Sequence, residues 1–234
     1  MKILNKGFNY SQDGPGNRLV YHLQGCNFSC KWCSNADSIP FENPKAKSLS
    51  VESIYDEIIR SRMMFFDGGG VTFTGGEVCV QSEELIELLK MLKDADIHTC
   101  IETNASMCSV RNVAEYVDYL IADFKHYDDS LHREWVGTSN KSVKENLEYF
   151  FSIGRQIHIR IPVVNGVNDN PVGFAEYFKK FNTSNSVFEF LAYHEYGKDK
   201  WMGNYEIENG FVTAEKIKEF TEIFKIYGLK TIVT

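Results

Sequence analysis

The sequence lacks any apolar run long enough to cross a bilayer, so no transmembrane helix is expected. Its first residues, MKILNKGFNYSQDGPG, also lack the continuous apolar region of a secretory signal peptide. We find no internal repeat, low-complexity tract or obvious linker. These absences predict a cytoplasmic protein without a membrane partner.

Positive charge is scarce, because 25 lysines and arginines face 32 acidic residues and give a formal net charge of −7. Binding to nucleic-acid phosphates needs a basic face, and no lysine–arginine cluster stands out. We therefore expect no nucleic-acid partner. The apolar share of 43% and the charged share of 24% are ordinary for a globular protein. We expect one domain over residues 1–234, acting as a monomer.

Cysteine is rare outside the segment GCNFSCKWCSN, which holds three of the six. In a reducing cytoplasm such a cluster indicates a metal site rather than a disulfide framework. The scattered Cys79, Cys100 and Cys108 lie in or near apolar stretches. Since free cysteine is often buried, we expect these three to be small core residues.

The clustered Cys26, Cys30 and Cys33 form the pattern C-x3-C-x2-C. A closed zinc site needs four protein ligands, and no second CxxC or HxxxH follows. A [4Fe–4S] cluster normally takes four thiolates, so three would leave one iron able to bind the amine and carboxylate of a substrate. We favour the [4Fe–4S] cluster, with zinc and structural cysteines as alternatives.

Short apolar strands alternate with amphipathic helical segments, which indicates βα units and a parallel sheet. In such sheets functional residues collect at the carboxyl ends of the strands. The predicted strands cover residues 18–24, 70–74, 97–103, 119–124, 157–164, 186–191 and 230–233. The predicted helices cover residues 51–65 behind an N-cap at Ser50, 82–95 behind Ser82, 141–153, 171–181 and 213–227.

The cysteine motif, with Trp32 before its last cysteine, resembles the signature of the radical S-adenosylmethionine superfamily. The longer segment SQDGPGNRLVYHLQGCNFSCKWCSN resembles the N-terminal signature of glycyl-radical-enzyme activating enzymes. GGGVTFTGGE, IETN, ADFKHYDDSLHREWVGTSN, IRIPVVNGVND and YHEYGKDKW then follow in the order found in pyruvate formate-lyase activating enzymes. The resemblance runs from about residue 8 to the C-terminus.

This resemblance implies an α/β fold, a partial (β/α)6 barrel with a parallel sheet. It implies reductive cleavage of S-adenosylmethionine at the [4Fe–4S] cluster, giving a 5′-deoxyadenosyl radical that takes a hydrogen atom from a backbone glycine of a partner enzyme. A radical enzyme that converts a small molecule or peptide directly is the alternative. An electron-carrying iron–sulfur protein is disfavoured, because the other motifs would lack a purpose.

Several residues are assigned to the cofactor by the resemblance. Gly75, Gly76 and Glu77 would bind its amino group, although an ordinary strand-to-helix turn would also explain the glycines. Trp32 and Asn35 would approach it from the cysteine loop, by stacking and hydrogen bonding.

Two charged residues, Asp123 and Lys125, alternate with Phe124 and are therefore expected on one face of a strand. The resemblance places them on the methionyl part and ribose of the cofactor; the alternative is a solvent-exposed strand end. Arg160, whose guanidinium matches a carboxylate, is assigned to the same pocket, and His194 to the adenine side.

A possible monovalent-cation site is implied at Glu102, Thr103 and Asp123, where the family has an Asp-Thr pair and a second Asp. Asp13, in the DGPG loop, is implied to seat the glycine-bearing loop of the partner, and we count it with the three clustered cysteines as catalytic. A simple Asp-Gly turn is the alternative.

The sequence departs from the family at His22, where phenylalanine is usual, and at Ser34, where histidine is usual. No cysteine lies between Asn35 and Gly68, so we expect no ferredoxin-like insert. A single cluster would then receive its electron from outside, from flavodoxin or ferredoxin.

Overall fold

The computed structural model describes residues 1–201, 203 and 205–233. The chain forms two compact units that interleave in sequence. The first contains Met1–Asn27, Asp37–Thr103 and Met107–Ile121. The second contains Phe28–Ala36, Asn104–Ser106 and Ala122–Thr234.

The sheet of the first unit combines an antiparallel edge with parallel strands. Its strands are β1 (Lys2–Tyr10), β2 (Asn17–Leu23), β3 (Lys47–Ser48), β4 (Gly70–Gly75) and β5 (Thr99–Thr103). They lie in the order β3, β1, β2, β4, β5. β1 runs antiparallel to β2 and β3, whereas β2, β4 and β5 are parallel. The parallel strands are almost continuously buried, as expected for strands covered on both faces.

The helices of this unit are α1 (Val51–Ser61), α2 (Ser82–Asp94) and α3 (Val110–Ala114). Ser50 caps α1 as predicted, because its side chain accepts the amide hydrogen of Ser53 at 3.2 Å. α1 ends four residues before the predicted boundary and continues as a short 3-10 turn, Arg62–Met64. α2 begins at Ser82, and Gln81 rather than Ser82 occupies the N-cap position. One face of α2 is buried, and it consists of Leu85, Leu88, Leu89 and Leu92.

The second unit contains β7 (Ile157–Val163) and β8 (Ser186–Ala192), which pair in parallel. β6 (Tyr119–Asp123) begins in the first unit and ends in the second. The helices are α4 (Asp129–Val136), α5 (Lys141–Ser152), α6 (Pro171–Phe178) and α7 (Ala214–Ile226). The core is rich in aromatic rings that meet edge to face or tilted, among them Phe124, Phe174, Phe178, Phe188 and Phe224.

The prediction of alternating strands and helices with parallel pairing is confirmed within each unit. It missed β1, β3, α3 and α4. The predicted strand at residues 230–233 was wrong, since only a single bridge joins Thr231 to Phe188. Among the described residues, no helix has the length and apolar character needed to span a membrane. The single domain without an insert stays a prediction.

Candidate cofactor site

The first cysteine of the motif follows a tight junction at the carboxyl ends of β2 and β4, in the first unit. The backbone amide of Glu77 donates to the carbonyl oxygen of Gly25 at 2.8 Å, one residue before Cys26. A Cβ atom on Gly76 would lie 2.1 Å from that oxygen, and Gly75 has a φ of +110°. The structure therefore explains why both positions are glycine, since a side chain at Gly76 would separate the GGE segment from the start of the cysteine loop.

Glu77 is fully buried and makes hydrogen bonds to residues of the first unit. Its Oε1 atom accepts hydrogen bonds from the backbone amide of Cys79 at 3.0 Å and from the hydroxyl of Thr103 at 2.7 Å. A second link joins the same strands, because the Thr74 hydroxyl donates to Glu102 at 2.7 Å. The GGE and IET motifs thus form one hydrogen-bonded network at the carboxyl ends of β4 and β5.

These hydrogen bonds involve two of the three residues of the predicted cation site. Glu102 and Thr103 lie in the first unit and Asp123 in the second, and both side chains of the first unit already take part in hydrogen bonds. Among the described residues, no three histidine, cysteine, aspartate or glutamate side chains are grouped as a metal site. The cation site stays a prediction, as does the convergence of Cys26 with the other two motif cysteines.

The second unit holds Cys30 and Cys33, which are joined by a backbone hydrogen bond of 3.1 Å from the Cys33 amide to the Cys30 carbonyl. The amide of Asn35 donates to the Cys33 sulfur at 3.4 Å. Burial raises the pKa of the Cys33 thiol, while the Asn35 amide and the ammonium groups of Lys125 and Lys200 lower it. Burial outweighs these groups, so the pKa of Cys33 lies above its ordinary value and its thiol has to lose a proton when it binds iron.

Asp123 and Lys125 form an ion pair with 2.8 Å between carboxylate oxygen and ammonium nitrogen. Burial alone would lower the pKa of Lys125, but Asp123, Cys30 and Cys33 together raise it above its ordinary value. Phe124 between them is fully buried against α6. Asp123 and Lys125 thus contact each other while Phe124 packs in the core, and the assignment of the charged pair to the cofactor stays a prediction.

Arg160, on β7, is buried and is paired with a residue that the sequence analysis missed. Its Nε atom donates to Glu189 on β8 at 2.8 Å, and the Nε2 atom of His158 lies 3.0 Å from the same carboxylate oxygen. Arg160 and Glu189 lie directly opposite each other in the strand register. The available signal was a glutamate inside the apolar run VFEFLA, which needs a buried cation nearby. The assignment of Arg160 to the cofactor stays a prediction.

His194 is half-buried just after β8, where its ring stacks on that of Tyr196 with centroids 4.3 Å apart. Its Nδ1 atom accepts the amide hydrogen of Tyr196 at 3.4 Å. Burial and the nearby Lys200 lower the pKa of His194, so its imidazole is neutral at pH 7. A neutral, stacked ring is compatible with the predicted adenine contact, which stays untested.

The segment that follows His194 makes hydrogen bonds to the backbone of the cysteine loop. The indole nitrogen of Trp201 donates to the Cys33 carbonyl at 3.1 Å. The Lys200 ammonium donates to the Ser34 carbonyl at 3.0 Å and to the Asn35 side chain at 3.1 Å. This segment belongs to the motif YHEYGKDKW, but no role was predicted for Lys200 or Trp201.

The carboxyl end of α4 also makes hydrogen bonds to the cysteine loop, before Cys33. The amides of Ser29 and Lys31 donate to the carbonyls of Val136 and Trp135, both at 3.0 Å. The helix ends at Gly137 with a φ of +87°, and a Cβ atom there would lie 2.2 Å from the Ser29 hydroxyl. The segment REWVGTSN therefore packs against the cysteine loop. Trp32, within the loop, is buried.

The DGPG loop lies at the amino end of β2, whereas the cysteine motif begins after its carboxyl end. Arg18 is fully buried and donates to the Pro15 carbonyl at 2.9 Å and to the Thr72 hydroxyl at 2.7 Å, while that hydroxyl donates to the Asp13 carbonyl at 2.7 Å. These contacts place Asp13 before β2, whereas Cys26 follows it; a seven-residue strand is about 20 Å long. The expectation that the motifs gather at carboxyl ends was wrong for this loop, and the role of Asp13 stays a prediction.

The remaining cysteines behave as predicted except for one. Cys79 and Cys100 are buried, but Cys108 is exposed and therefore is not a core residue. None of the six cysteines, all within the described part of the chain, forms a disulfide. Cys30 and Cys33, with an amide donor and cations nearby, fit an anionic iron–sulfur cluster.

Comparison with known proteins gives consistent matches. The family model described as Radical SAM superfamily matches residues 20–178. The pyruvate formate-lyase-activating enzyme of Streptococcus mutans is 32% identical over 204 residues, covering 82% of this chain and 76% of the relative. The pyruvate formate-lyase 1-activating enzyme of Escherichia coli is 32% identical over 198 residues, covering 81% and 79%.

A solved domain of a pyruvate-formate lyase-activating enzyme from Bacteroides vulgatus is similar to the present fold. Its TM-score is 0.61 at 27% identity, and the match covers 71% of this chain and 99% of that one. The predicted fold class is therefore confirmed. Together, the matches show that the chain belongs to the radical S-adenosylmethionine superfamily and, within it, to the family of pyruvate formate-lyase-activating enzymes.

Proposed function

We propose that this chain activates a glycyl radical enzyme similar to pyruvate formate-lyase, by removing a hydrogen atom from one of its backbone glycines. The relatives from Streptococcus mutans and Escherichia coli are named for activation of pyruvate formate-lyase. The structural observation that carries the proposal is the cysteine loop, whose backbone is held by hydrogen bonds. The charge of Lys125 interacts with both Cys30 and Cys33 of this loop. Such a loop suits a charged cluster next to a zwitterionic cofactor.

The cofactors are a [4Fe–4S] cluster and S-adenosylmethionine, as in the rest of the family. When bound, the cluster would supply one electron for the reductive cleavage of S-adenosylmethionine, and S-adenosylmethionine would supply the adenosyl group that accepts the glycine hydrogen atom. We assign Cys26, Cys30 and Cys33 to the cluster. We assign S-adenosylmethionine to Trp32, Asn35, Gly75, Gly76, Glu77, Asp123, Lys125, Arg160 and His194.

The chain's own contribution, on this proposal, is to hold these groups before the cofactor arrives. Glu77 is oriented by Thr103, Lys125 by Asp123, and Arg160 by a buried carboxylate, so their charges need little reorganisation on binding. Asp13 and its loop contact the partner protein. A monovalent cation binds Glu102, Thr103 and Asp123.

We infer further that the electron comes from flavodoxin or ferredoxin, because the segment between Asn35 and Gly68 has no cysteine for a second cluster. The chain acts as a monomer in the cytoplasm. The acidic net charge of −7 supports the absence of a nucleic-acid partner.

The test is anaerobic incubation of the iron-loaded protein with S-adenosylmethionine, a chemical reductant and pyruvate formate-lyase. We expect a doublet glycyl signal in electron paramagnetic resonance, and 5′-deoxyadenosine in proportion to that signal. Replacing the target glycine of the partner by alanine should abolish the signal. Sustained turnover on a small molecule without a partner protein would contradict the proposal.

A further inference from the structure

A short 3-10 turn after β8, Lys198–Lys200, lies against the backbone that follows Cys33. A Cβ atom on Gly197 would lie 2.3 Å from the Ser34 carbonyl oxygen, so the start of the turn touches the cysteine loop directly. At the other end of the turn, the indole nitrogen of Trp201 donates to the Cys33 carbonyl at 3.1 Å. All of these residues belong to the second unit. The turn is therefore held against the loop at both of its ends.

The two lysines of this turn have different surroundings. The ammonium of Lys200 donates to the Ser34 carbonyl at 3.0 Å and to the side-chain oxygen of Asn35 at 3.1 Å. These two oxygens are uncharged, so they hold the ammonium in place without cancelling its charge. The ammonium of Lys198 instead pairs with the carboxylate of Glu195 at 3.0 Å. Of the two, only Lys200 brings an uncompensated charge to the cysteine loop.

The contacts of Lys200 lead to the sulfur of Cys33. The amide of Asn35, whose side chain Lys200 contacts, donates to that sulfur at 3.4 Å. Against the raising effect of burial, Lys125 and Lys200 both lower the pKa of the Cys33 thiol, which shows that both charges act on the sulfur. Lys125, however, is already paired with Asp123 at 2.8 Å, and Asp123 acts on Cys33 in the opposite direction. Lys200 has no such carboxylate within its two contacts.

A positive charge at this position has a direct consequence for an iron–sulfur cluster. The reduction potential of such a cluster depends on the charges around it and on the hydrogen bonds to its sulfurs. Reduction adds one negative charge, so a cation close to a ligand sulfur stabilises the reduced form more than the oxidised form. The cluster then accepts its electron at a higher potential.

We propose that Lys200 raises the reduction potential of the [4Fe–4S] cluster through its charge, while Gly197 and Trp201 keep the turn against the cysteine loop. The inference rests on the proposed function, which assigns Cys33 to the cluster. Lys200 is thus a positioning residue that lies outside the set of ligands and favours the arrival of the electron from the donor.

The test uses two variants of Lys200 and one matched control. Lys200→Gln removes the charge, and Lys200→Arg keeps it. Lys198→Gln removes an equal charge from the same turn, where the ammonium contacts Glu195 rather than the cysteine loop. Each full-length protein is loaded with iron and titrated anaerobically with a chemical reductant in the absence of S-adenosylmethionine. The reduced cluster is measured by electron paramagnetic resonance at each potential, and the iron content is determined separately.

We expect Lys200→Gln to have a lower midpoint potential than the wild type. At a fixed potential its ratio of reduced to oxidised cluster should fall about threefold, the size of effect expected for a solvent-exposed charge. That ratio corresponds to about 30 mV for a one-electron couple. Lys200→Arg should match the wild type, Lys198→Gln should shift much less than Lys200→Gln, and the iron content should be the same in all four proteins.

Several results would overturn the proposal. Equal midpoint potentials in Lys200→Gln and the wild type would show that the charge does not reach the cluster. Equal shifts in Lys200→Gln and Lys198→Gln would mean that only net charge matters, and equal shifts in Lys200→Gln and Lys200→Arg would assign the effect to geometry. Loss of iron in Lys200→Gln, with an unchanged potential in the clusters that remain, would reduce Lys200 to a packing role.

A fifth protein, Cys33→Ala, separates failure of this inference from failure of the assignment on which it rests. It should form no [4Fe–4S] cluster, because one thiolate ligand is missing. A cluster with wild-type iron content and potential in Cys33→Ala would refute the assignment of Cys33 in the proposed function. Loss of the cluster in Cys33→Ala together with unchanged potentials in the lysine variants would refute only the role of Lys200.

Discussion

Glu189 lies between Phe188 and Phe190 in the middle of β8 and is almost completely buried. A carboxylate in such surroundings is costly unless a cation accompanies it. Arg160 supplies that cation at 2.8 Å, and the pairing also fixes the orientation of the guanidinium. Glu189 is thus a positioning residue for a side chain that we assign to the cofactor.

Replacing Glu189 with glutamine should leave the Arg160 charge buried without its counter-charge. We expect the free energy of unfolding to fall by about 3 kcal/mol, measured by urea denaturation of the cluster-free protein. Cofactor affinity, followed through the cluster's resonance, should fall as well. Glu222→Gln is the control, because Glu222 pairs with Lys218 at 3.6 Å on an exposed helix face and should contribute less than about 0.5 kcal/mol. Equal effects of the two substitutions would contradict a positioning role for Glu189.

The six cysteines divide into two sets with different expected behaviour. Cys26→Ala, Cys30→Ala and Cys33→Ala should each abolish iron binding and cofactor cleavage, since each removes a thiolate ligand. The other three substitutions, at Cys79, Cys100 and Cys108, should leave iron content unchanged, measured by iron analysis and visible absorbance. Loss of the cluster in any of these last three would overturn the ligand assignment.

At the scale of elements, the cysteine loop depends on two supports that are distant in sequence. One is the end of α4, which binds the loop at Ser29 and Lys31. The other is the segment containing Lys200 and Trp201, which binds the loop after Cys33. Neither support contributes a cluster ligand, but both restrict the backbone that carries two of them.

Gly137 offers a direct test of the α4 support. Gly137→Ala should be destabilising through its positive φ and through the contact of the new Cβ with the Ser29 hydroxyl. We expect lower iron content as well, because the loop must shift. Gly228→Ala is the matched control, since Gly228 has a φ of +76° and no atom within 4 Å of an added Cβ. It should cost about 1 kcal/mol for the backbone conformation alone and leave iron content unchanged.

Similar iron content in the two glycine variants, both measured after the same reconstitution, would show that α4 does not support the loop. A larger loss of stability in Gly137→Ala without loss of iron would limit the role of the glycine to packing.

Local signals explain which elements could be predicted. α1, α2, α5, α6 and α7 have apolar residues at helical spacing, and the parallel strands are short apolar runs, so their existence was predictable. β1 was missed because most of its residues are exposed. α4 was missed because it is short and polar, although Asp128 at its N-cap and Gly137 after its last residue mark its two ends.

The candidate site was predictable only where a motif is continuous in sequence. The cysteine pattern and the GGE segment could be recognised from neighbouring residues. The partners of these motifs could not, because Trp201 is 168 residues from Cys33 and the Arg160–Glu189 pair depends on the register of two strands. The position of Asp13 did follow from the sequence, because the DGPG loop precedes the strand predicted at residues 18–24 and therefore lies at its amino end.

Considered as a whole, the molecule buries neutral histidines in both units. His126 and His132 are almost completely buried in the second unit, and the half-buried His98 lies beside Arg18 in the first. Burial lowers the pKa of all three below the ordinary value of 6.5, and Arg18 lowers that of His98 further. Protonation would also break a local contact, because the Nδ1 atom of His126 accepts the Asp128 amide hydrogen at 2.8 Å.

These shifts predict a stability that falls as the pH decreases below about 6.5. As the pH falls, the unfolded chain takes up protons on these three histidines before the folded chain does, so each of them contributes a slope of up to about 1.4 kcal/mol per pH unit. The measurement is urea denaturation of the cluster-free protein between pH 8 and pH 5, above the range in which Asp129 and Glu57, whose pKa values are lowered, lose their charge. His126→Gln should reduce the slope, because glutamine can still accept the Asp128 amide hydrogen but does not titrate. A free energy of unfolding that is constant or rises from pH 7 to pH 5 would show that these imidazoles are already protonated in the folded chain.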